Sequence, residues 1–215
     1  MSTHINLMRC LLISALFSVA ITSEANDLTG LYVTGSIGKA SEEYPEGLTT
    51  QGLESSGVSA ISTTIKKNPI GFKLRIGYQI NINLGLEAGY SNFGKISYDA
   101  KGTQGGTSGV FSDSLKVNAV DASVIGILPI GGSFSALGKL GVASVKSSES
   151  FSTTFDSANQ LSLGGRTATD ITYGIGGVVD ISNNSSLRAD YDRYNTDVKN
   201  LGWVDFWSIG IIYKF

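Results

Sequence analysis

From Ile70 to Asn81 apolar and polar residues alternate without interruption: Ile70, Phe72, Leu74, Ile76, Tyr78 and Ile80 are interleaved with Gly71, Lys73, Arg75, Gly77, Gln79 and Asn81. A period of two puts the first set on one face of a β-strand and the second set on the other. The pattern recurs in segments of roughly ten residues. Leu31, Val33 and Ile37 oppose Tyr32, Thr34 and Ser36; Leu84, Leu86, Ala88 and Tyr90 oppose Gly85, Glu87, Gly89 and Ser91. Over residues 115 to 128, Val120, Ala122 and Val124 are set against Asn118, Asp121 and Ser123. Phe134, Ala136, Leu140 and Val142 oppose Ser135 and Lys139, and Tyr173, Ile175, Val179 and Ile181 oppose Asp170, Thr172 and Asp180. Leu187, Ala189 and Tyr191 oppose Arg188, Asp190 and Asp192. An eighth segment ends the chain, with Trp207, Ile209, Ile211, Tyr213 and Phe215 on one face.

Eight strands of this kind, each with one face apolar and the other polar or charged, several of them carrying aromatics on the apolar face, predict an all-β fold: an eight-stranded, antiparallel, up-and-down transmembrane β-barrel. The apolar faces meet lipid and the charged faces line a closed interior. Tyr78, Tyr90, Tyr191, Trp207, Tyr213 and Phe215 fit the interfacial girdles of such barrels. The connections support this reading over a soluble sandwich, which also alternates but does not sort its loops by length. Those near 81–83, 129–132 and 182–185 are short; those at 39–69, 99–114, 146–167 and 195–202 are longer and rich in Gly, Ser, Thr and Asp. Short periplasmic turns and long extracellular loops alternate in this way in outer-membrane barrels, which places both termini in the periplasm.

The start of the chain agrees. His4 and Arg9 precede the apolar run Leu11 to Ile21, and Ser23-Glu24-Ala25 supplies small residues at the positions that define signal cleavage. The run is too short to cross about 30 Å of hydrocarbon as a helix. Residues 1–25 are therefore expected to be a signal peptide, cut between Ala25 and Asn26, and residues 26–215 the barrel domain. Cys10 follows Leu7-Met8-Arg9 and lacks the small residues of a lipoprotein processing site.

Cleavage there removes the only His, the only Cys and both Met residues. Imidazole-dependent nucleophilic catalysis goes with them, and so do the usual zinc ligands. No catalytic residue, metal site or cofactor is expected, and the protein is not expected to be an enzyme. With a formal charge of −2 and no basic run, the chain has no electrostatic footprint for nucleic acid. The chemistry left is that of the interior charges: Lys73, Arg75, Lys139 and Arg188 against Glu87, Asp121, Asp180 and Asp190. In a lumen only wide enough for side chains, such groups must pair.

The segment Gly71 to Asn81 followed by Leu84 to Ser91 resembles the second hairpin of the OmpA-like barrel family, which includes opacity-type surface antigens. Leu128-Pro129-Ile130, Lys139-Leu140-Gly141, Gly176-Gly177-Val178 and Leu187 to Tyr191 carry the resemblance through the rest of the chain. It implies a bacterial outer-membrane protein in which Glu87, Lys139 and Arg188 join an internal network. It also implies assembly by periplasmic chaperones and the barrel-assembly machinery, reading a C-terminal signal of Trp207, Ile209, Ile211, Tyr213 and the last residue Phe215. The peptidoglycan-binding domain of the longer family members is not expected here. Three functions stay open: a structural and surface-interaction role, antigen-like or adhesin-like, through the long loops; a narrow, gated ion channel through the charged lumen; and, least favoured, a lipid-modifying outer-membrane enzyme. Expected partners are outer-membrane lipid, lipopolysaccharide and a host or surface ligand met by the loops. The acidic patch Glu42 to Glu46 and the pair Lys66-Lys67 lie in the longest of these.

Overall fold

The computed structural model describes residues 30–42, 57–66, 69–154, 166–198 and 201–215. They form nine strands: β1 Gly30–Glu42, β2 Val58–Lys66, β3 Ile70–Asn81, β4 Leu84–Gln104, β5 Thr107–Gly131, β6 Phe134–Thr153, β7 Arg166–Asp180, β8 Ser185–Val198 and β9 Leu201–Lys214. From β3 onward each strand pairs antiparallel with the next, and β1 pairs with both β3 and β9, which closes a ring of eight. Closure leaves the ring without an unpaired edge. β2 is not a ninth stave. It pairs with the upper part of β4, from Val58↔Gln104 to Lys66↔Ser97, while β3 takes the lower part from Phe72↔Asn92. The two strands are halves of one stave, interrupted just before β3 at Pro69, whose carbonyl accepts a hydrogen bond from the Ala40 amide at 3.1 Å.

The start of β1 and the C-terminus lie together at one rim, where the Phe215 amide donates to the Leu31 carbonyl at 3.0 Å. The three short turns, at 82–83, 132–133 and 181–184, share that rim. At the other rim the segments expected as loops are largely strand. β4 and β5 run on through 99–114 and meet in a two-residue turn at Gly105 and Gly106, whose φ of 57° and 87° suit a mirror-image hairpin turn. β2 occupies part of 39–69; β6 runs to Thr153, and β8 reaches Val198 with β9 resuming at Leu201. The patch at Glu43 to Glu46, Lys67 and the expected leader, including Ala25 and Asn26, lie outside the described residues.

These extensions escaped the sequence pattern because the polarity of the two faces reverses along the strands that carry them. On β4 the outward positions change from Leu84, Leu86, Ala88 and Tyr90 to Lys95, Ser97, Asp99 and Lys101, while the inward ones change from Glu87 and Ser91 to Phe93, Ile96, Tyr98 and Ala100. On β5 the same exchange falls between Asn118 and Val120. Asn118 accordingly faces outward, contrary to the expectation that it lines the interior. Beyond the apolar band water replaces lipid, and the strands follow the ordinary rule of apolar inside, polar outside.

The interior is layered. Near the short-turn rim Tyr32, Ile125, Leu137, Val178 and Ile212 form one apolar cluster; toward the other rim Phe93, Leu115, Val117, Val145, Tyr194 and Phe206 belong to a larger one. Phe93 sits edge-on to Tyr194 and to Phe206, with ring centroids 4.9 and 5.4 Å apart. Gly77 makes room in the lower layer: a Cβ there would lie 2.1 Å from the Tyr32 ring, so the aromatic lies across bare backbone.

Candidate functional site

Between the two apolar layers lies a layer of charge. Each strand delivers its contribution through parity: inward on β5 the order is Leu115, Val117, Ala119, then Asp121 and Ser123, then Ile125; inward on β6 it is Leu137, Lys139, Gly141, then Ala143 and Val145. β3 supplies Lys73 and Arg75, β4 Glu87, and β8 Arg188, Asp190 and Asp192, all buried.

Six of these groups form a closed ring of alternating sign. Arg188 pairs with Glu87 and, at 2.8 Å, with Asp190. Lys73 bridges Asp190 at 3.4 Å and Asp192. Arg75 reaches Asp192 at 3.8 Å and Glu87 at 4.0 Å, which completes the circuit. Two more groups attach to it: Asp121 accepts from Arg75 Nη1 at 2.7 Å, and Lys139 pairs with Asp192. Four cations thus meet four carboxylates, so the layer is formally neutral.

Neutral partners take up some of the remaining valences. The Tyr32 hydroxyl donates to Glu87 Oε1 at 2.8 Å, Arg75 Nη2 donates to the Tyr194 hydroxyl at 2.8 Å, and Ser123 donates to Asp121 at 3.3 Å. The Lys73 ammonium lies 5.4 Å from the centroid of Phe206 and that of Lys139 5.7 Å from Tyr194, so the upper apolar layer caps both lysines with ring faces. Charges this far from water are stable only as a fully paired set.

Of the eight residues expected in the interior network, the structure brings together Lys73, Arg75, Glu87, Asp121, Lys139, Arg188 and Asp190. Asp180 is a correction. It has the inward parity but ends β7 at the short-turn rim, where it is exposed and accepts from Lys214 Nζ at 3.0 Å and the Ser186 hydroxyl at 2.5 Å. A polar residue at the last rung of a strand meets water instead of the lumen. Asp192, which touches three cations, was readable as inward but not as central, and Tyr194, two residues further on the same face, gave the same parity signal. Which charge meets which depends on the stagger that carries β8 across the lumen to β3, and no local pattern encodes it. The C-terminal set Trp207, Ile209, Ile211, Tyr213 and Phe215 lies exposed on the outer wall, with Tyr191 and Trp207 centroids 4.6 Å apart and Tyr213 and Phe215 5.3 Å apart.

Solved structures similar to this chain include outer-membrane barrels. Neisserial surface protein A aligns with a TM-score of 0.54 at 16% identity, over 86% of this chain and 97% of its own. OprG from Pseudomonas aeruginosa aligns at 0.50 and 13% identity, over 87% and 97%. Ail, the attachment invasion locus protein of Yersinia pestis, aligns at 0.49 and 20% identity, over 86% and 99%. No curated protein sequence matches the chain. The family model for the OmpA-like transmembrane domain matches residues 26–215. With its ring of eight strands, apolar outer band and paired interior, the chain belongs to the OmpA-like transmembrane domain family and is an integral β-barrel of the bacterial outer membrane.

Proposed function

We propose that the protein is a closed, non-conducting barrel that anchors and displays its long hairpins at the cell surface as an antigen-like or adhesin-like element, with no enzymatic role. The observation that carries this reading is the order of the interior: an apolar layer, a neutral and fully buried charged layer, and a second apolar layer across the barrel. An ion on the axis would have to pass two dry layers, at a desolvation cost that no water-lined path offsets. The extension of β4, β5 and β6 beyond the apolar band gives the displayed hairpins a rigid stem. A host or surface ligand bound through the hairpins, a leader cut between Ala25 and Asn26, and assembly of the exported chain through its Phe215-terminated strand by chaperones and the barrel-assembly machinery complete the proposal. Planar-bilayer recording of refolded protein tests the sealed lumen: no conductance steps are expected, and steady single-channel openings would overturn it. Loss of binding to host cells or matrix on trimming the hairpins, with the barrel still folded, tests the display role.

The channel reading keeps one observation in its favour. Arg188, Lys73 and Arg75 each touch more than one carboxylate, so partners exist for an exchange. Exchange alone opens no path through Phe93, Tyr194 and Phe206.

A further inference from the structure

Gly174 on β7 is the register partner of Lys139 on β6 and of Asp192 on β8, and all three face inward. A Cβ at Gly174 would lie 2.5 Å from Asp192 Oδ1, so bare backbone is what lets the carboxylate lie across β7 toward the lysine. Lys139 Nζ touches Oδ1 there, but without the angles of a hydrogen bond. The two side chains are 3% and 2% exposed, and the Tyr194 ring covers the amine.

Of the four cations in the charged layer only the two lysines carry a nitrogen that becomes a nucleophile on losing a proton, since a guanidinium stays protonated. Lys73 is divided between Asp190 and Asp192 Oδ2 and donates a hydrogen bond to each. Among the described residues the ion pair of Lys139 is with Asp192 alone. The other oxygen of that carboxylate, Oδ2, is held by Lys73 and lies 3.8 Å from Arg75 Nη2, so cationic donors already stand where negative charge would gather on it. The same Arg75 holds Asp121 through Oδ2 at 2.7 Å, while Asp121 Oδ1 is buried with no hydrogen-bond partner. Asp121 is also one of the charges that act on Lys139. A carboxylate oxygen left open in this position can take up a proton and return it.

We propose that Lys139 and Asp192 join in an intramolecular isopeptide bond as the barrel closes, an amide between Nζ and Cγ that staples β6 to β8 through the lumen. Asp121 takes one proton from the Lys139 ammonium; the amine attacks Asp192 Cγ, and negative charge collects on Oδ2 between Lys73 and Arg75. Oδ1 then leaves as water, carrying the proton returned by Asp121 and a second from the nitrogen, which keeps one. Oδ2 remains as the amide carbonyl, and no oxidant or cofactor enters. In bulk water the hydration of the two ions favours the separated acid and amine. Here both are stripped of that hydration and held in contact, which favours the neutral amide and speeds its formation. One charge of each sign disappears, so the layer stays neutral.

The test follows the full chain by intact mass as it is denatured in urea and refolded into detergent micelles. The unfolded chain should have the mass of its sequence, and the folded barrel should be lighter by one water. A tryptic digest of the folded form should contain one branched peptide joining the segments around Lys139 and Asp192, with no cleavage after Lys139. Lys139→Arg should fold at full mass, and Lys73→Arg should still lose the water. Asp121→Asn should close the bond roughly 100-fold more slowly. Folding of each variant is checked by circular dichroism; should Lys139→Arg fail to fold, the branched peptide of the unaltered protein decides alone. A folded parent at full mass, a branch on Lys73 in place of Lys139, water loss persisting in folded Lys139→Arg, or an unchanged rate in Asp121→Asn would each overturn the assignment.

Discussion

The Tyr32 hydroxyl reaches Glu87 across β3, at 2.8 Å, because the residue paired with both is Gly77 and has no side chain. Glu87 is also held by Arg188, so the phenol fixes the carboxylate in the orientation that starts the charged ring. Replacing Gly77 with Ala sets a methyl 2.1 Å from the Tyr32 ring and forces the ring off that bond. The expected cost is about 1–3 kcal/mol, seen as a lower urea midpoint for unfolding from micelles. Tyr32→Phe, which removes only the hydroxyl, should cost about 1–3 kcal/mol because a buried carboxylate loses a donor.

Asp192 is the residue on which Lys73 and Lys139 converge, with Arg75 at 3.8 Å. Asp192→Asn leaves the layer with an uncompensated positive charge, and a loss of roughly 3–5 kcal/mol is expected. Removing one lysine charge in the same background, as D192N/K139M, restores neutrality and should recover part of the loss. If the double variant is less stable than D192N by the full cost of a second lesion, the two residues do not share one charge balance.

Lipid contact gives a different dependence. Ile209 is exposed on the outer wall near the middle of β9, between Trp207 and Tyr213, and Ile212 three residues on is buried inside. Ile209→Arg should destabilise the barrel by about 2–4 kcal/mol in a bilayer. The penalty should shrink markedly for Ser97→Arg, an outward position on β4 above the polarity reversal. Folding titrations into vesicles, with tryptophan fluorescence as the readout, measure both. Equal penalties would place the band elsewhere.

The same reversal explains how far the sequence could be read. In β3 every position from Ile70 to Gln79 lies within one environment, and alternation alone gives strand, face and interior charge. In β5 the strand and its in–out parity continue without a break, but the apolar phase slips by one at Ala119-Val120: Leu115, Val117 and Ala119 are apolar because they are inside above the membrane, and Val120, Ala122 and Val124 because they are outside within it. A reader who takes polar to mean inward assigns Asn118 to the wrong face and stops the strand too early, as the expected 99–114 loop did. Lys73, Arg75, Glu87, Lys139, Arg188 and Asp190 were legible by parity. Their ring was not, since Lys73 and Asp192 stand 119 residues apart.

Gly94 marks the reversal on β4 and should be intolerant of a side chain. Its φ of 84° is costly for other residues, and a Cβ would lie 2.7 Å from both the Ile70 carbonyl oxygen and Pro69 Cβ. Gly94→Ala is expected to cost about 1–2 kcal/mol from the backbone term alone, with the effect concentrated in the upper hairpin. Hydrogen exchange should rise in β2 and the upper halves of β4 and β5 and stay unchanged in β7 and β8.

The sealed lumen can be opened by design. Phe93 and Phe206 pack edge to face at 5.4 Å and are both fully buried above the charged layer, with Lys73 beneath the Phe206 ring. Truncating both as F93A/F206A removes the aromatic seal on one side while leaving every ionic contact of the ring in place. Each truncation should cost about 3–5 kcal/mol, so the variant is recorded at low temperature in a thick bilayer. Water then reaches Lys73 and Arg75 from the hairpin side, and the lower layer of Tyr32, Ile125, Leu137, Val178 and Ile212 becomes the remaining barrier. The double variant should therefore still not conduct; conductance should appear only when Ile125→Ala and Ile212→Ala are added. Openings in F93A/F206A alone would mean that the lower layer is not a barrier and that the upper aromatics carry the seal by themselves.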